Sequence, residues 1–385
     1  MRSFLESRPV PTAVIFTVVG VLPLYLTSAQ AVRLQQELGF GKTQFGIMVA
    51  AFYLVSSVTS LRLGPWIDRA GPTVAFRVAG LLSMASAVLI ATAAMRWEVL
   101  ALFLGIAGLA NAYGQLGSNL AVADTVRGSR QGLAFAAKQA AVPTGAMIAG
   151  LVVPWAATLS WRWVYAGAAV FALGTALVAP RYEHEPHGSP QAGITMTVPL
   201  AWLMIAAALA GGAGNAVASF VVDAAVTTGF SERTAARLLT AASLVAIASR
   251  LSCGVIIDRR RSTGLVEATG LLSVATAGLV ILVTNGTAPV PFLLGTVMVF
   301  AGAWGWPGVM QYLTLRIIDL PAATSTGATL AGGYLGTVVV PPLFGAAAER
   351  LSYTAAFAGL LGVVLVALAA VHLSRYLAVH RRARV

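Results

Sequence analysis

Apolar residues occupy this chain in twelve stretches, each near the twenty or so residues that cross roughly 30 Å of hydrocarbon as a helix. They fall at 12–32, 44–66, 74–94, 98–120, 132–156 and 163–180, then at 198–221, 235–257, 264–284, 290–313, 326–347 and 354–374. Lipid offers no hydrogen bonds to a backbone, so such runs predict helices. Pro143 in the fifth run and Pro341-Pro342 in the eleventh are tolerable there, because neighbouring helices can satisfy the carbonyls a proline leaves free. The expected fold class is an all-α membrane protein with twelve transmembrane helices.

Composition and charge narrow the picture. Only 10% of residues are charged and 58% are hydrophobic, with a mean hydropathy of +0.83; a soluble domain carries roughly 25% charge. The net charge of +12 does not point to nucleic acid, since the basic residues are scattered between apolar runs rather than gathered on one face. The first run reads as a span and not a signal peptide, because many runs follow it and no small-residue cleavage site ends it. Cys253, the single cysteine, can form no internal disulfide. No Gly-x-x-x-x-Gly-Lys-Ser/Thr loop occurs, so ATP is not the expected energy source. Neither a metal-ligand cluster nor a nucleophile triad stands out, so no cofactor, metal site or enzymatic activity is expected.

Lys and Arg set the expected orientation. With a cytoplasmic N-terminus, that side collects fifteen of them, from Arg2 and Arg8 through Arg69, Arg77 and Arg181 to Arg384, and the other side seven, from Arg33 and Lys42 to Arg350. Both termini are then cytoplasmic, in a multi-pass protein of the cell membrane. The longest polar stretch follows the sixth run and divides the chain into an N-terminal six-helix bundle (1–180), a cytoplasmic linker (181–197) and a C-terminal six-helix bundle (198–385). His184 and His187 in that linker are i, i+3; solvated loop residues explain them better than metal ligands.

The second half repeats the first at a shift of 190. Gly64, Ile67, Asp68 and Arg69 fall on Gly254, Ile257, Asp258 and Arg259, and Gly39-Phe40 on Gly229-Phe230. Two related six-helix halves place a transport site at their interface. The stretch Gly64-Pro-Trp-Ile-Asp68-Arg69-Ala-Gly71 resembles the signature loop of the major facilitator superfamily (Gly-x-Leu-x-Asp-Arg-x-Gly-Arg-Lys), and Gly254 to Arg261 resembles its weaker second copy. Trp66 stands where Leu is usual, and Pro72-Thr73 replaces the Arg-Lys pair.

The resemblance implies two pseudo-symmetric bundles working by alternating access. It also implies a latch in which Asp68 meets the positive N-terminus of the eleventh helix, near Thr324-Ser325-Thr326; carboxylates are favoured at such ends. Gly64, Asp68, Arg69, Gly71, Gly254, Asp258 and Arg259 are the gating candidates; a plain topological anchor is the other reading. The first and seventh helices meet near the axis in that family, which makes Arg33 and Asp223, partners in the repeat, a candidate pair closing the outer side.

Ionisable residues inside membrane helices are costly and mark function by default. Lys138, about seven residues and so roughly 10 Å into the fifth helix, either faces the cavity as an anion-binding or gating cation or snorkels to the interface. Its neighbour Gln139 joins it as a candidate. Arg250 in the eighth run belongs to the opposite half; together the two could clamp an anion, or Arg250 could pair with a local carboxylate or carbonyl. Asn111, Gln115 and Asn119 recur at i, i+4, i+8, as do Asn215, Ser219 and Asp223, a spacing that puts each set on one face. Each stripe lines a wet path or bonds a neighbouring helix. Tyr25, Tyr53, Trp304, Trp306 and Tyr334 are candidate aromatic walls or ordinary packing.

Two intramembrane cations with few buried acids favour a small organic anion such as a carboxylate, moved by uptake or exchange in a monomer, with proton symport and anion exchange both fitting. The alternative is proton-coupled efflux of drugs or metabolites. Against it, the fourth run carries no basic residue, and Val142 stands where the family's antiporters place Gly before Pro143.

Overall fold

A computed structural model describes residues 9–125, 131–153, 160–182, 196–260, 262–318 and 322–382. The described residues are helical, without strands. The first half holds α1 (Pro9–Ala29), α2 (Ala31–Leu38), α3 (Lys42–Ala93), α4 (Trp97–Thr125), α5 (Gln131–Gln139), α6 (Ala141–Val152) and α7 (Trp161–Leu177). The second holds α8 (Val198–Thr227), α9 (Glu232–Arg260), α10 (Leu265–Asn285), α11 (Pro289–Ala303), α12 (Pro307–Ile317), α13 (Ala322–Arg350) and α14 (Tyr353–Arg382). Ten stretches among the described residues are long and apolar enough to cross a membrane. The remaining two runs are the fifth, divided into α5 and α6, and the sixth, whose α7 has 17 residues. All twelve expected spans are therefore accounted for as helices. The 183–195 segment, with His184 and His187, and residues 154–156 of the fifth run lie outside the described residues.

Three boundaries differ from the expected ones, each for a local reason. The second and third runs were expected to be separated by a loop at Gly64 to Gly71, but helical backbone continues through this stretch and breaks at Gly71 alone, with φ 80° and ψ 166°. Only glycine adopts that conformation without steric cost. The fifth span is divided at Ala140, where Pro143 has no N–H to give the Gln139 carbonyl. The tenth span is interrupted at Trp304-Gly305-Trp306 and restarts on Pro307 at its first turn, a favoured place for proline.

Lipid tails are as apolar as leucine, so helices in a bilayer associate by close packing of small residues rather than by a hydrophobic drive. The chain follows this rule. In α1 and α8, 78% of the most hydrophobic window is buried, against 28–61% in the other candidate spans; these two helices form the centre. Around them the halves meet along two seams, α3 against α13 and α6 against α9, with α1 touching α8. On the first seam Gly46 lies against the backbone of Pro341 and Pro342, and Gly345 against the Lys42 carbonyl. Phe45 and Phe220 meet edge to face and Phe344 is tilted against Phe220 beside them, at 4.8 and 5.2 Å between ring centroids.

A Cβ at position 46 would lie 2.6 Å from the Pro341 oxygen, so Gly46→Val must push α3 away from α13. Overpacking of this kind costs ~1–3 kcal/mol, enough to raise the separated population about tenfold. Alkylation of a cysteine placed at Thr43, in a Cys253→Ser background, is expected to rise accordingly. Unchanged alkylation would show that the seam does not depend on this close approach.

Candidate functional site

The helix breaks and the central pair define a cavity of about 110 Å³ between the halves. Its lining includes Tyr53, Asn111, Gln115, Gln139, Asn215, Arg250, Trp304, Trp306, Gln311, Thr329, Tyr334 and Thr337. Arg250 is 5% exposed and is held by two main-chain carbonyls. Its Nε donates to the Trp304 oxygen at 2.8 Å, and its Nη1 donates to the Gln139 oxygen. Both acceptors arise from interrupted helices. Pro143 leaves the Gln139 carbonyl without its helical donor, and Trp304 closes α11 at the break before Pro307. One carbonyl comes from each half, so the guanidinium ties the end of α5 to the end of α11 across the boundary, and it also rests 5.8 Å from the centroid of the Trp304 ring.

Lys138 is 1% exposed, which excludes the snorkelling alternative. It does not touch the cavity itself; its Nζ donates to Gln115 Oε1, whose side chain lines the wall. Among the described residues neither Lys138 nor Arg250 pairs with a carboxylate. Arg62, by contrast, is exposed.

A hydroxyl–amide cluster joins the halves nearby. Tyr53 OH donates to Asn215 Oδ1 at 2.7 Å, and Tyr25 OH lies 3.4 Å from both Asn215 Oδ1 and Tyr53 OH. Tyr25 and Asn215 are 190 positions apart, so repeat-equivalent sites on α1 and α8 meet at the centre. Tyr25 packs its edge against Trp304 at 5.7 Å.

Of the two polar stripes, the structure brings only part to the cavity. Asn111, Gln115 and Asn215 line it, whereas Asn119 is half-buried away from it and Ser219 is buried among helices. Tyr334 lines the wall and Tyr25 stands behind it. Gln311, Thr329 and Thr337 were missed. A lone glutamine inside the tenth run, four residues past Pro307, is the same signal that marked Asn215.

At the end of the bundle opposite the termini, the halves are bridged by polar contacts. The expected Arg33–Asp223 pair is replaced. Arg33 Nε meets Glu232 Oε2 at 2.9 Å, while Asp223 takes the Tyr353 hydroxyl and lies 3.9 Å from Lys42 Nζ. The reason is that α2 carries Arg33 beyond the end of α1, past the level of Asp223 and onto the first residue of α9. Lys42 also sits 4.8 Å from the centre of the Tyr353 ring. Glu349, at the end of α13, accepts the Thr43 N–H at 2.7 Å; this amide is one of the orphan donors at the start of α3, where negative charge is favoured.

At the other end, Gly71 supplies the turn described above, Arg69 and Arg259 are exposed, and a Cβ at Gly254 would meet the Ala136 methyl at 3.5 Å. The side chains at Gly64, Asp68, Asp258, Thr324 and Thr326 lie outside the described residues, so the Asp68 latch stands as a proposal.

The comparisons follow the same lines. The Major Facilitator Superfamily profile matches residues 12–330, and the chain belongs to that family: it is a multi-pass membrane transporter. Among solved structures, it is similar to a D-xylose–proton symporter at 14% identity, over 95% of each chain, with a TM-score of 0.73. It is similar to the human organic anion transporter MFSD10 at 15% identity, over 95% of this chain and 99% of that one, with a TM-score of 0.72. A bacterial homologue of the human lysosomal transporter Spinster, in an inward-facing and unoccupied conformation, gives 13% identity over 97% and 96%, with a TM-score of 0.70. No protein of curated function matches by sequence.

The bridge at the end opposite the termini gives a charge-swap test. Arg33→Glu is expected to lower transport by up to about fivefold, as loss of a part-exposed ion pair of ~0.2–1 kcal/mol implies. Adding Glu232→Arg should restore it, and adding Asp223→Arg should not. Rescue by Asp223→Arg instead would reverse the pairing.

Proposed function

We propose that this transporter moves a small organic anion, a carboxylate being the simplest case, by uptake or exchange. The observation that carries the reading is the pair Lys138 and Arg250, buried at or behind one cavity and facing no carboxylate among the described residues. Burying unpaired charge is costly. An anion entering the cavity compensates both, Arg250 directly and Lys138 through Gln115. Arg250 has five N–H donors, and two of these are directed at carbonyls. The rest are available to a bound carboxylate, where bidentate pairing is the strong geometry. The likeness to an organic anion transporter supports this reading, and the likeness to a proton symporter supports a proton as coupling ion.

The chain acts as a carrier rather than an enzyme, as a monomer with its six-helix halves at 1–180 and 198–385. Both termini face the cytoplasm, following the excess of Lys and Arg there. The bridged end then faces outward, and the cavity opens toward the cytoplasm once the Asp68 latch is released.

Counterflow in proteoliposomes with a panel of carboxylates and cationic dyes tests this. Carboxylate exchange is expected to saturate, and Arg250→Gln and Lys138→Met are each expected to reduce it by about tenfold or more, since each leaves a buried partner network incomplete at 1.4 kcal/mol or more. Saturable dye movement without carboxylate movement, with both variants fully active, would overturn the proposal.

A further inference from the structure

The hydrogen-bond economy of the cavity wall carries a statement about the cargo beyond its charge. Asn215 Nδ2 donates to the Gly211 carbonyl at 3.0 Å. A carbonyl can only accept, so this bond fixes the amide with Oδ1 toward the tyrosines. Tyr53 then spends its proton on Asn215 Oδ1 at 2.7 Å. Tyr25 spends its own inside the cluster too, since its hydroxyl lies 3.4 Å from both candidate acceptors and its ring is fully buried. What Tyr53 offers the cavity is therefore a hydroxyl oxygen with lone pairs and no free proton. Asn111 points the same way. Its Nδ2 donates to Ser56 Oγ at 2.7 Å, and its Oδ1 is buried without a partner.

The cavity thus has two chemically distinct parts. Arg250 supplies charge and spare donors. Tyr53 and Asn111 supply acceptors, and a buried acceptor without a donor is costly. A plain carboxylate serves the first part and leaves the second unserved. An ammonium would serve the second, but it would sit near Lys138 and Arg250 with no carboxylate among the described lining residues to receive it. A hydroxyl has the required donor and no charge.

We propose that the cargo is a hydroxylated organic anion, whose negative group meets Arg250 and whose hydroxyl donates to the Tyr53 oxygen and Asn111 Oδ1. The proposal rests on the anion reading above and deepens it by assigning Tyr53 and Asn111 as specificity-determining residues. It also gives a reason for the Gly211 contact: by fixing the Asn215 amide, Gly211 holds Tyr53 in its accepting state.

Calorimetric titration of the purified full-length chain with matched anions tests it. The pairs are lactate with propionate, malate with succinate and gluconate with hexanoate, with alanine as the ammonium arm. The hydroxylated member of at least one pair is expected to bind about tenfold more tightly or better, as a site built around a polar contact discriminates strongly against a cargo lacking it. Alanine should bind no more tightly than propionate. Tyr53→Phe and Asn111→Leu should each bring the ratio toward one. Equal affinity within every pair, with binding that Arg250→Gln abolishes, would sink this inference and leave the anion reading intact. An undiminished ratio in both variants would overturn the assignment to Tyr53 and Asn111. Binding of none of these anions by the unaltered chain would overturn both readings.

Discussion

The structure depends on one obligation, that backbone carbonyls exposed by a broken membrane helix must find a donor. Lipid provides none. Pro143 and the Trp304–Pro307 interruption each release a carbonyl near the middle of the bundle, and Arg250 takes both. This exchange solves two problems at once. The carbonyls are satisfied, and a buried guanidinium obtains partial compensation without an acid. Because one carbonyl belongs to each half, the solution can exist only where the halves meet, so the helix breaks, the seam and the cavity coincide. Two carbonyls leave the charge itself uncancelled, and it is on this that the proposal of an anionic cargo rests.

The central helices show how the duplication is used. Tyr25 and Asn215 occupy equivalent repeat positions and touch across the pseudo-axis, yet one is a phenol and the other an amide. The repeat provides the proximity, and divergence of the side chains provides a donor–acceptor pair. The seams repeat the pattern at the level of shape. Small residues such as Gly46 and Gly345 allow α3 and α13 to approach closely, while aromatic rings fill the space behind them.

Much of this architecture was legible in the residues before any coordinates. Twelve apolar runs, the shift of 190 and the Gly-x-x-x-Asp-Arg stretches lead to the bundle, and Lys138, Arg250, Gln115 and Asn215 stand out because polar groups are rare in such runs. What escaped detection depends on rotation and height. Asn119 follows the same i, i+4 spacing as Asn111 and Gln115, but one further turn carries it beyond the cavity. Arg33 aligns with Asp223 in the repeat, but the added helix α2 lifts it to Glu232. Gly64 to Gly71 reads as a loop from its composition, whereas a single positive-φ glycine is enough to turn the chain. Backbone acceptors were the least visible of all, since no sequence pattern marks the Gln139 carbonyl except the proline four residues later.

The chemistry of the bridged end bears on how such a protein can move. The Arg33–Glu232 pair is part-exposed, with side chains 27% and 35% accessible, so it is worth about 0–1 kcal/mol. The Lys42–Asp223 contact is long at 3.9 Å, and the Glu349 contact to the start of α3 belongs to a class worth ~0.3–1 kcal/mol. Together these contacts amount to a few kcal/mol. Shifting a two-state equilibrium from one extreme to the other takes about 5.5 kcal/mol of differential binding, and a ligand can supply only the difference in its affinity for the two states. The polar part of this closure lies within that reach, and the close packing of Gly46 and Gly345 along the α3–α13 seam adds to what must be separated. The buried Arg250 bridge is the stronger tie, and it borders the cavity. The halves are thus joined by two kinds of contact: part-exposed polar ones that water can replace, and the buried Arg250 and glycine-lined ones, which hold until a difference in ligand affinity between the two states offsets them.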